Sequence, residues 1–319
     1  LDFIIGPRIG IIGSGAIGGF YGVLLARAGF DVHFLLRSDF VAVREHGMQL
    51  HSAQFGSMSM QSLQVYDDPA QMPACDWLLV GAKTTSNSAL APTIAQLAAP
   101  GAKVVLLQNG LGVEDSMRLC LPQSLHLLGG LCYICVQRSG PGIIEHQSLG
   151  DVTLGYHSGP APDMQAAKVL LEEGAALFAA AGVRAAVTRD LQQARWQKLV
   201  WNVPYNGLSV VLDAGTTALM GSEHSRGLIR SLMQEVLQAA AACGVQMPQG
   251  YADKLLALTD KMPDYLPSMY HDFRGGRPLE LQAIYEAPLT AARAAGCELP
   301  RVQMLLQTLR FIEQHGRGH

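Results

Sequence analysis

Lys198, Asn202 and Asn206 recur at four-residue steps inside RWQKLVWNVPYNGLSVV, a segment otherwise rich in apolar side chains. A four-residue step drifts only about 40° around an α-helix, so an ammonium and two carboxamides share one narrow face. Leu199, Val200, Trp201 and Val203 supply the apolar remainder. Lysine can carry a transferable proton, and carboxamides hold oxygen atoms by direction without adding charge. Burying such groups without a polar partner is costly. The face therefore meets either a structural partner within the protein or a polar substrate.

A second polar cluster lies in PSMYHDFRGGRPLEL, where Ser268 and Asp272 are four apart and Glu280 follows Pro278. Taken alone, Ser268 and Asp272 are explained by a helix cap and a local hydrogen bond. Glu280, expected in the first turn of the next helix, also complements the helix dipole.

The elements that must position these groups begin with a nucleotide-type turn. RIGIIG, residues 8–13, is a short apolar strand leading into GSGAIG, made of Gly13, Ser14, Gly15, Ala16, Ile17 and Gly18. An amphipathic helix follows, ending near Gly29, and then a second strand over 31–36. Strand, Gly-rich turn, helix and strand within about 30 residues is the context a dinucleotide fingerprint requires. Gly13 makes the tight turn, Gly15 admits the pyrophosphate and Gly18 lets the helix pack on the strand, while the helix N-terminus offers its N–H groups. The second strand ends in FLLRS, with Arg37 where an NAD site carries an acidic residue. A guanidinium suits a 2′-phosphate, so NADP (as NADPH) is favoured over NAD; a solvated surface arginine is the plain alternative. Two more strands end on polar residues: WLLVGAK on Lys83 and KVVLLQNGLG on Asn109. Ligands of open parallel sheets sit at such carboxyl ends, so both are candidate cofactor or substrate contacts, against an exposed lysine and a turn or cap asparagine.

Short β-type segments are expected at 125–136, 142–146 and 151–155, then a helix over 162–181 and a strand near 183–187. From residue 190 helical periodicity dominates, with candidates at 192–205, 222–243, 251–261, 279–295 and 302–314. Pro204 lacks an N–H and is expected to kink or end the first of these near Asn206 and Gly207. The expected architecture is thus α/β: a Rossmann-like N-terminal dinucleotide-binding domain (1–189) followed by an all-α C-terminal domain (190–319).

Composition narrows the class. The 319 residues suffice for two domains, with 49% hydrophobic and 15% charged residues. Net charge is −3, from 23 basic and 26 acidic residues without a basic run, which speaks against nucleic-acid or membrane partners. No apolar stretch approaches the roughly 20 residues of a membrane span, and no leader signature opens the sequence. Cys132 and Cys135 form C-x-x-C on a predicted strand, where residues three apart face opposite ways. They read as core thiols in a reducing, cytoplasmic setting. No metal site is expected, the terminal HGRGH included.

Across its length the chain resembles the ketopantoate reductase (2-dehydropantoate 2-reductase) family. The resemblance rests on IGIIGSGAIGGFYG, LLQNGLG, RWQKLVWNVPYNGLS and PSMYHDFRGGRPLEL. It implies NADPH-dependent reduction of 2-dehydropantoate to pantoate, on the route to pantothenate and coenzyme A. It further implies Lys198 as general acid and Glu280 as the carboxylate that binds substrate, near enough to keep the lysine charged. Asn202, Asn206 and Ser268 match substrate contacts, Asn109 and Lys83 match polar residues lining the cleft, and Arg37 matches the contact to the NADP phosphate. By this resemblance the Lys–Asn line is left unpaired by protein so that substrate can meet it. The chain departs from the family pattern at Gln282 and Glu286, at Tyr265 and at Pro204, which leaves another branched 2-oxo acid open as substrate. Short-chain dehydrogenases need Tyr-x-x-x-Lys, which is absent. A non-catalytic NADP-binding sensor would keep the glycines and Arg37 without needing Lys198 and Glu280 together. The periodicity of the helical half is compatible with a homodimer and with a monomer.

Overall fold

The computed structural model describes residues 6–316. The first five residues, where a leader was sought, and the last three, which close HGRGH, lie outside that range. The chain divides into two compact units: Leu1–Gln108 with Val113–Leu191, and Asn109–Gly112 with Gln192–His319. The sequence assigns Asn109 to the first domain; its short segment groups instead with the helical unit, because its backbone bonds there.

The first unit runs β1 (Ile9–Ile12), α1 (Ala16–Arg27), β2 (Val32–Leu35), α2 (Phe40–His46), β3 (Met48–Ser52), β4 (Met58–Met60), β5 (Gln64–Tyr66), β6 (Cys75–Val80), α3 (Asn87–Leu97), β7 (Ala98–Leu106), α4 (Val113–Arg118), β8 (His126–Gly140), β9 (Ile143–Ser158), α5 (Met164–Ala180) and β10 (Ala185–Thr188). Its ten strands form one sheet in the order β4-β3-β9-β8-β7-β6-β1-β2-β5, with β10 on β9. The run from β8 to β5 is parallel. Every residue of β1 is buried, as expected of a strand covered on both faces. Strand order reverses at β1, which has β2 on one side and β6 on the other. That reversal is where open α/β sheets leave a crevice outside their carboxyl ends.

The segments expected at 142–146 and 151–155 are one continuous strand, β9, in a long antiparallel hairpin with β8. Leu149 and Gly150 look like a break in sequence. Both take positive φ, and the ladder absorbs them as a bulge where Tyr133 pairs with Asp151 and Ile134 with Leu149. Cys132 and Cys135 both lie in β8 and are buried, and only Cys132 joins the large apolar cluster of this unit.

The second unit comprises α6 (Leu191–Val211), α7 (Thr216–Gly221), α8 (Glu223–Ala242), α9 (Tyr251–Thr259), α10 (Ser268–Arg274), a π-helical turn (Gln282–Glu286), α11 (Ala287–Ala294) and α12 (Pro300–His315). No described residue of it is in a strand. Almost all of α6 beyond Leu199 is buried, which makes it the central helix of the unit. It does not end at Pro204 but continues to Val211, because buried neighbours on every side hold the turn that proline weakens. The helix expected over 279–295 is found as one unbroken helical run over 281–294, whose Gln282–Glu286 turn is π-helical and passes directly into α11, and Glu280 precedes it. No described helix is long and apolar enough to cross a membrane.

Candidate functional site

In the first unit, the turn after β1 shows three different reasons for its glycines. Gly13 has φ +83, and a Cβ there would lie 2.4 Å from the Ala82 backbone nitrogen. A Cβ on Gly18 would lie 2.3 Å from the Gly13 carbonyl oxygen, so the helix rests directly on the turn. At Gly15 a Cβ would meet no protein atom within 4 Å. Space is thus kept open immediately before α1, whose Gly15 cap supplies no side-chain acceptor to the first amides. Ser14 Oγ is buried there with no hydrogen-bond partner. An open volume edged by uncapped helix N–H groups and an orphaned hydroxyl fits a phosphate oxygen. Ala16 and Ile17 begin α1 beside it.

Arg37 stands just past β2, exposed, and makes no hydrogen bond or ion pair among the described residues. Two residues on, the carboxylate of Asp39, a candidate acceptor for a ribose hydroxyl, is committed elsewhere. It is 6% exposed, receives Arg138 Nη1 on both oxygens at 2.5 Å, and accepts from Ser38 Oγ at 2.8 Å and the Gly142 N–H at 3.3 Å. Burial alone would raise its carboxyl; the bonds from Arg138 and Ser38 outweigh that and hold it below the usual carboxylate range. Lys83 is half-buried two residues beyond Gly81, at the cap of a 3-10 turn. Sequence reasoning passed over Gln108, whose amide fixes this edge. It donates to the Ala82 carbonyl at 2.7 Å and to Asn87 Oδ1 at 2.6 Å, and accepts from Asn87 Nδ2 at 3.0 Å. Only its place at a strand end, one residue before Asn109, signalled it.

In the second unit, α6 carries Lys198, Asn202 and Asn206 one turn apart. Lys198 is half-buried, while Asn202 and Asn206 are 5% and 2% exposed. Their fates differ. Asn206 Oδ1 accepts the Met269 N–H at 3.3 Å, so this asparagine does have a protein partner, contrary to the expectation that the whole line is left unpaired. Asn202 Nδ2 is buried and has no hydrogen-bond partner among the described residues. The flank of α6 beside this stripe is aromatic and held in place: Trp201 stacks on Tyr205 at 4.5 Å and donates to Thr259 Oγ1 at 3.0 Å.

The bond to Met269 ties α6 to the start of α10. Pro267 is the cap of that helix and Ser268 its first residue, so Ser268 is not the cap that spacing suggested. A second tie, Tyr270 Oη to Asp213 Oδ1 at 2.7 Å, joins α10 to the residue that closes α6. Asp272 is buried and accepts Arg277 Nε at 3.0 Å, folding the RGGR loop back onto α10. Beyond that loop, Glu313 accepts the Leu279 N–H at 2.8 Å. Glu280 follows, 3% exposed, and its carbonyl accepts the Ile284 N–H at 3.2 Å. The Asn109 segment reaches the same turn: the Leu111 N–H donates to the Ala283 carbonyl at 2.9 Å. The second unit therefore assembles Lys198, Asn202, Asn206, Ser268, Glu280 and Asn109 on elements bonded to one another, whereas Gly13 to Gly18, Arg37 and Lys83 belong to the first.

Comparison with known proteins gives the same division. Residues 9–159 match the family described as Ketopantoate reductase PanE/ApbA, and residues 190–313 match Ketopantoate reductase PanE/ApbA C terminal. A 2-dehydropantoate 2-reductase of Nostoc sp. is 39% identical over 310 residues, covering 97% of this chain and 96% of its own. The crystal structure of 2-dehydropantoate 2-reductase from Geobacter metallireducens superposes with a TM-score of 0.88 at 38% identity, over 95% of this chain and 99% of that one. The corresponding structure from Methylococcus capsulatus gives 0.83 at 32% identity, over 98% of each chain.

Proposed function

The chain belongs to the ketopantoate reductase family, and on that premise we propose that it reduces the ketone of 2-dehydropantoate to pantoate with NADPH. The observation that carries the substrate site is Asn202: a buried amide donor without a protein acceptor, one turn from a half-buried lysine on the same helix face. A buried unsatisfied donor costs about 1–3 kcal/mol, and a substrate oxygen is what recovers it.

A dinucleotide held at the glycine-rich turn would supply the hydride. Reduction leaves growing negative charge on the substrate's carbonyl oxygen, and Lys198 stabilises that oxygen and protonates it. Asn202 donates from Nδ2 to substrate oxygen. Asn206, whose Oδ1 is held by Met269, presents its amide in a fixed orientation, and Ser268 and Asn109 add neutral contacts to the 2-oxo acid. Glu280 accepts from the substrate's hydroxyl and complements the lysine's charge. Gly13, Ser14, Gly15, Ala16, Ile17 and Gly18 would hold the pyrophosphate, and Lys83 would be a further contact to the cofactor. Preference for NADPH over NADH rests on Arg37, without a protein partner, and on Asp39, already saturated by Arg138 and Gly142. A cytoplasmic setting suits a chain whose six cysteines are all free.

Lys198→Ala tests the mechanism. Its kcat is expected to fall by about a hundredfold or more, with the NADPH dissociation constant unchanged. Near-normal turnover in that variant sinks the assignment. Tyr265, half-buried with its ring centroid 6.4 Å from that of Trp201, is one of the departures from the family pattern and leaves a second reading in which another branched 2-oxo acid is the better substrate. A higher kcat/KM with such an acid than with 2-dehydropantoate would establish it.

A further inference from the structure

The course of α6 through its polar stripe depends on a side chain from outside the helix. Pro204 lies midway between Asn202 and Asn206 and has no N–H to give the Val200 carbonyl, so the helical ladder is interrupted within the stripe itself. Three residues further along the ladder, the fully buried Tyr285 hydroxyl donates to the Val203 carbonyl at 2.9 Å. A Cβ on Gly207 would stand 2.6 Å from the same hydroxyl, so the tyrosine meets the helix backbone itself rather than its side chains. A side chain brought into a helical ladder sets the local bend of the helix, and with it the direction in which Asn206 points.

Tyr285 comes from the π-turn Gln282–Glu286, and π-turns are uncommon and concentrate at functional sites. The same turn receives the Asn109 segment. The Ala283 carbonyl accepts the Leu111 N–H, and a Cβ on Gly110 would lie 2.4 Å from Ala283 Cβ. Glu280 stands two residues before the turn begins. We infer that Tyr285 is a positioning residue for the 2-oxo acid: through its bond to Val203 it sets α6 and the π-turn in one register, so that Asn202 and Asn206 on one side and Glu280 and Asn109 on the other grip the same substrate. The inference rests on the substrate roles proposed above for those four residues.

Tyr285→Phe removes one oxygen atom and tests it. The KM for 2-dehydropantoate is expected to rise about fivefold, as for loss of one hydrogen bond, with the KM for NADPH unchanged. Adding Asn206→Ala to Tyr285→Phe is expected to raise that KM by less than the product of the two single effects, since the hydroxyl acts in part through the asparagine. A folded Tyr285→Phe enzyme with wild-type kinetics, whatever its Tm, overturns the inference, as do strictly additive effects in the double variant. If Tyr285→Phe does not fold, Gly207→Ala, which presses a methyl against the hydroxyl, is expected to show the same selective rise. Loss of folding in both variants, read by circular dichroism, makes the hydroxyl a bond of the fold alone and overturns the inference too. Failure of the proposed function looks different. There the wild-type enzyme leaves 2-dehydropantoate unreduced, or Asn206→Ala keeps the wild-type KM, and the inference falls with it.

Discussion

Gly13 and Gly15 are two residues apart in one loop, yet the structure gives them separable jobs. Gly13→Ala forces a left-handed backbone on an L side chain and drives its Cβ into the Ala82 backbone; a loss of roughly 1–3 kcal/mol of stability, read as a lower Tm, is expected. Gly15→Ala meets open space, so its Tm should stay at the wild-type value while NADPH binding weakens. The reverse pattern would mean that the open volume is not where the pyrophosphate lies. Arg37→Ala should weaken NADPH binding roughly tenfold, as for one charge-assisted contact, and leave NADH binding alone; equal losses for both cofactors would remove Arg37 from the 2′-phosphate. At this scale the sequence is informative because each glycine, lysine and asparagine has few uses at its position. It stops short where a group's partner comes from far along the chain. Nothing near Asn206 announces the Met269 N–H, and nothing near Asp39 announces Arg138.

Elements were legible where periodicity is strong: β1, α1, β2, α5, α8 and α12 were all expected within a few residues of their observed bounds. Two expectations failed, and a third held while missing a detail, each for a physical reason. Pro204 stays inside α6 because tertiary packing outweighs the missing N–H, β9 crosses Leu149 and Gly150 as a bulge, and the π-turn ahead of α11 has no local signature at all. The short strands β3, β4 and β5 carry too few residues to show a pattern. The β8–β9 hairpin also carries a pH dependence. His146 is 3% exposed, its Nδ1 lying 2.7 Å from Ser52 Oγ and its Nε2 3.1 Å from the Leu149 carbonyl. Burial lowers its imidazole from the ordinary value of 6.5, against the opposing pull of backbone partners at Ser148 and Leu149. The unfolded chain therefore takes up the proton first as pH falls. Stability present above pH 6.5 is lost as the pH drops through the lower folded-state value. His33 and His126 are lowered by burial in the same direction. The Tm of the protein should fall from pH 7 towards pH 5, and the difference between wild type and His146→Gln should narrow over the same range. A difference that stays constant with pH would contradict the assignment.

At the scale of the whole molecule, the division of labour follows from the two kinds of core. A parallel sheet reverses its strand order at β1 and thereby exposes helix N–H groups at one end, which suits an anionic cofactor. A helical unit built around α6 buries amides among apolar side chains, which suits a small polar substrate read by direction. The order of these two architectures was legible from hydrophobic period together with the glycine-rich turn after β1. The transfer of the Asn109 segment to the helical unit was not, because it rests on long-range contacts such as the Leu111–Ala283 bond and the packing of Gly110 on Ala283. Which 2-oxo acid the helical unit holds is the central claim, and one measurement tests it most directly: the steady-state rate of NADPH oxidation by the wild-type protein with 2-dehydropantoate, beside a panel of other 2-oxo acids and beside NADH. The account predicts the highest kcat/KM with 2-dehydropantoate and NADPH together. Loss of NADPH absorbance with none of these acids would contradict it.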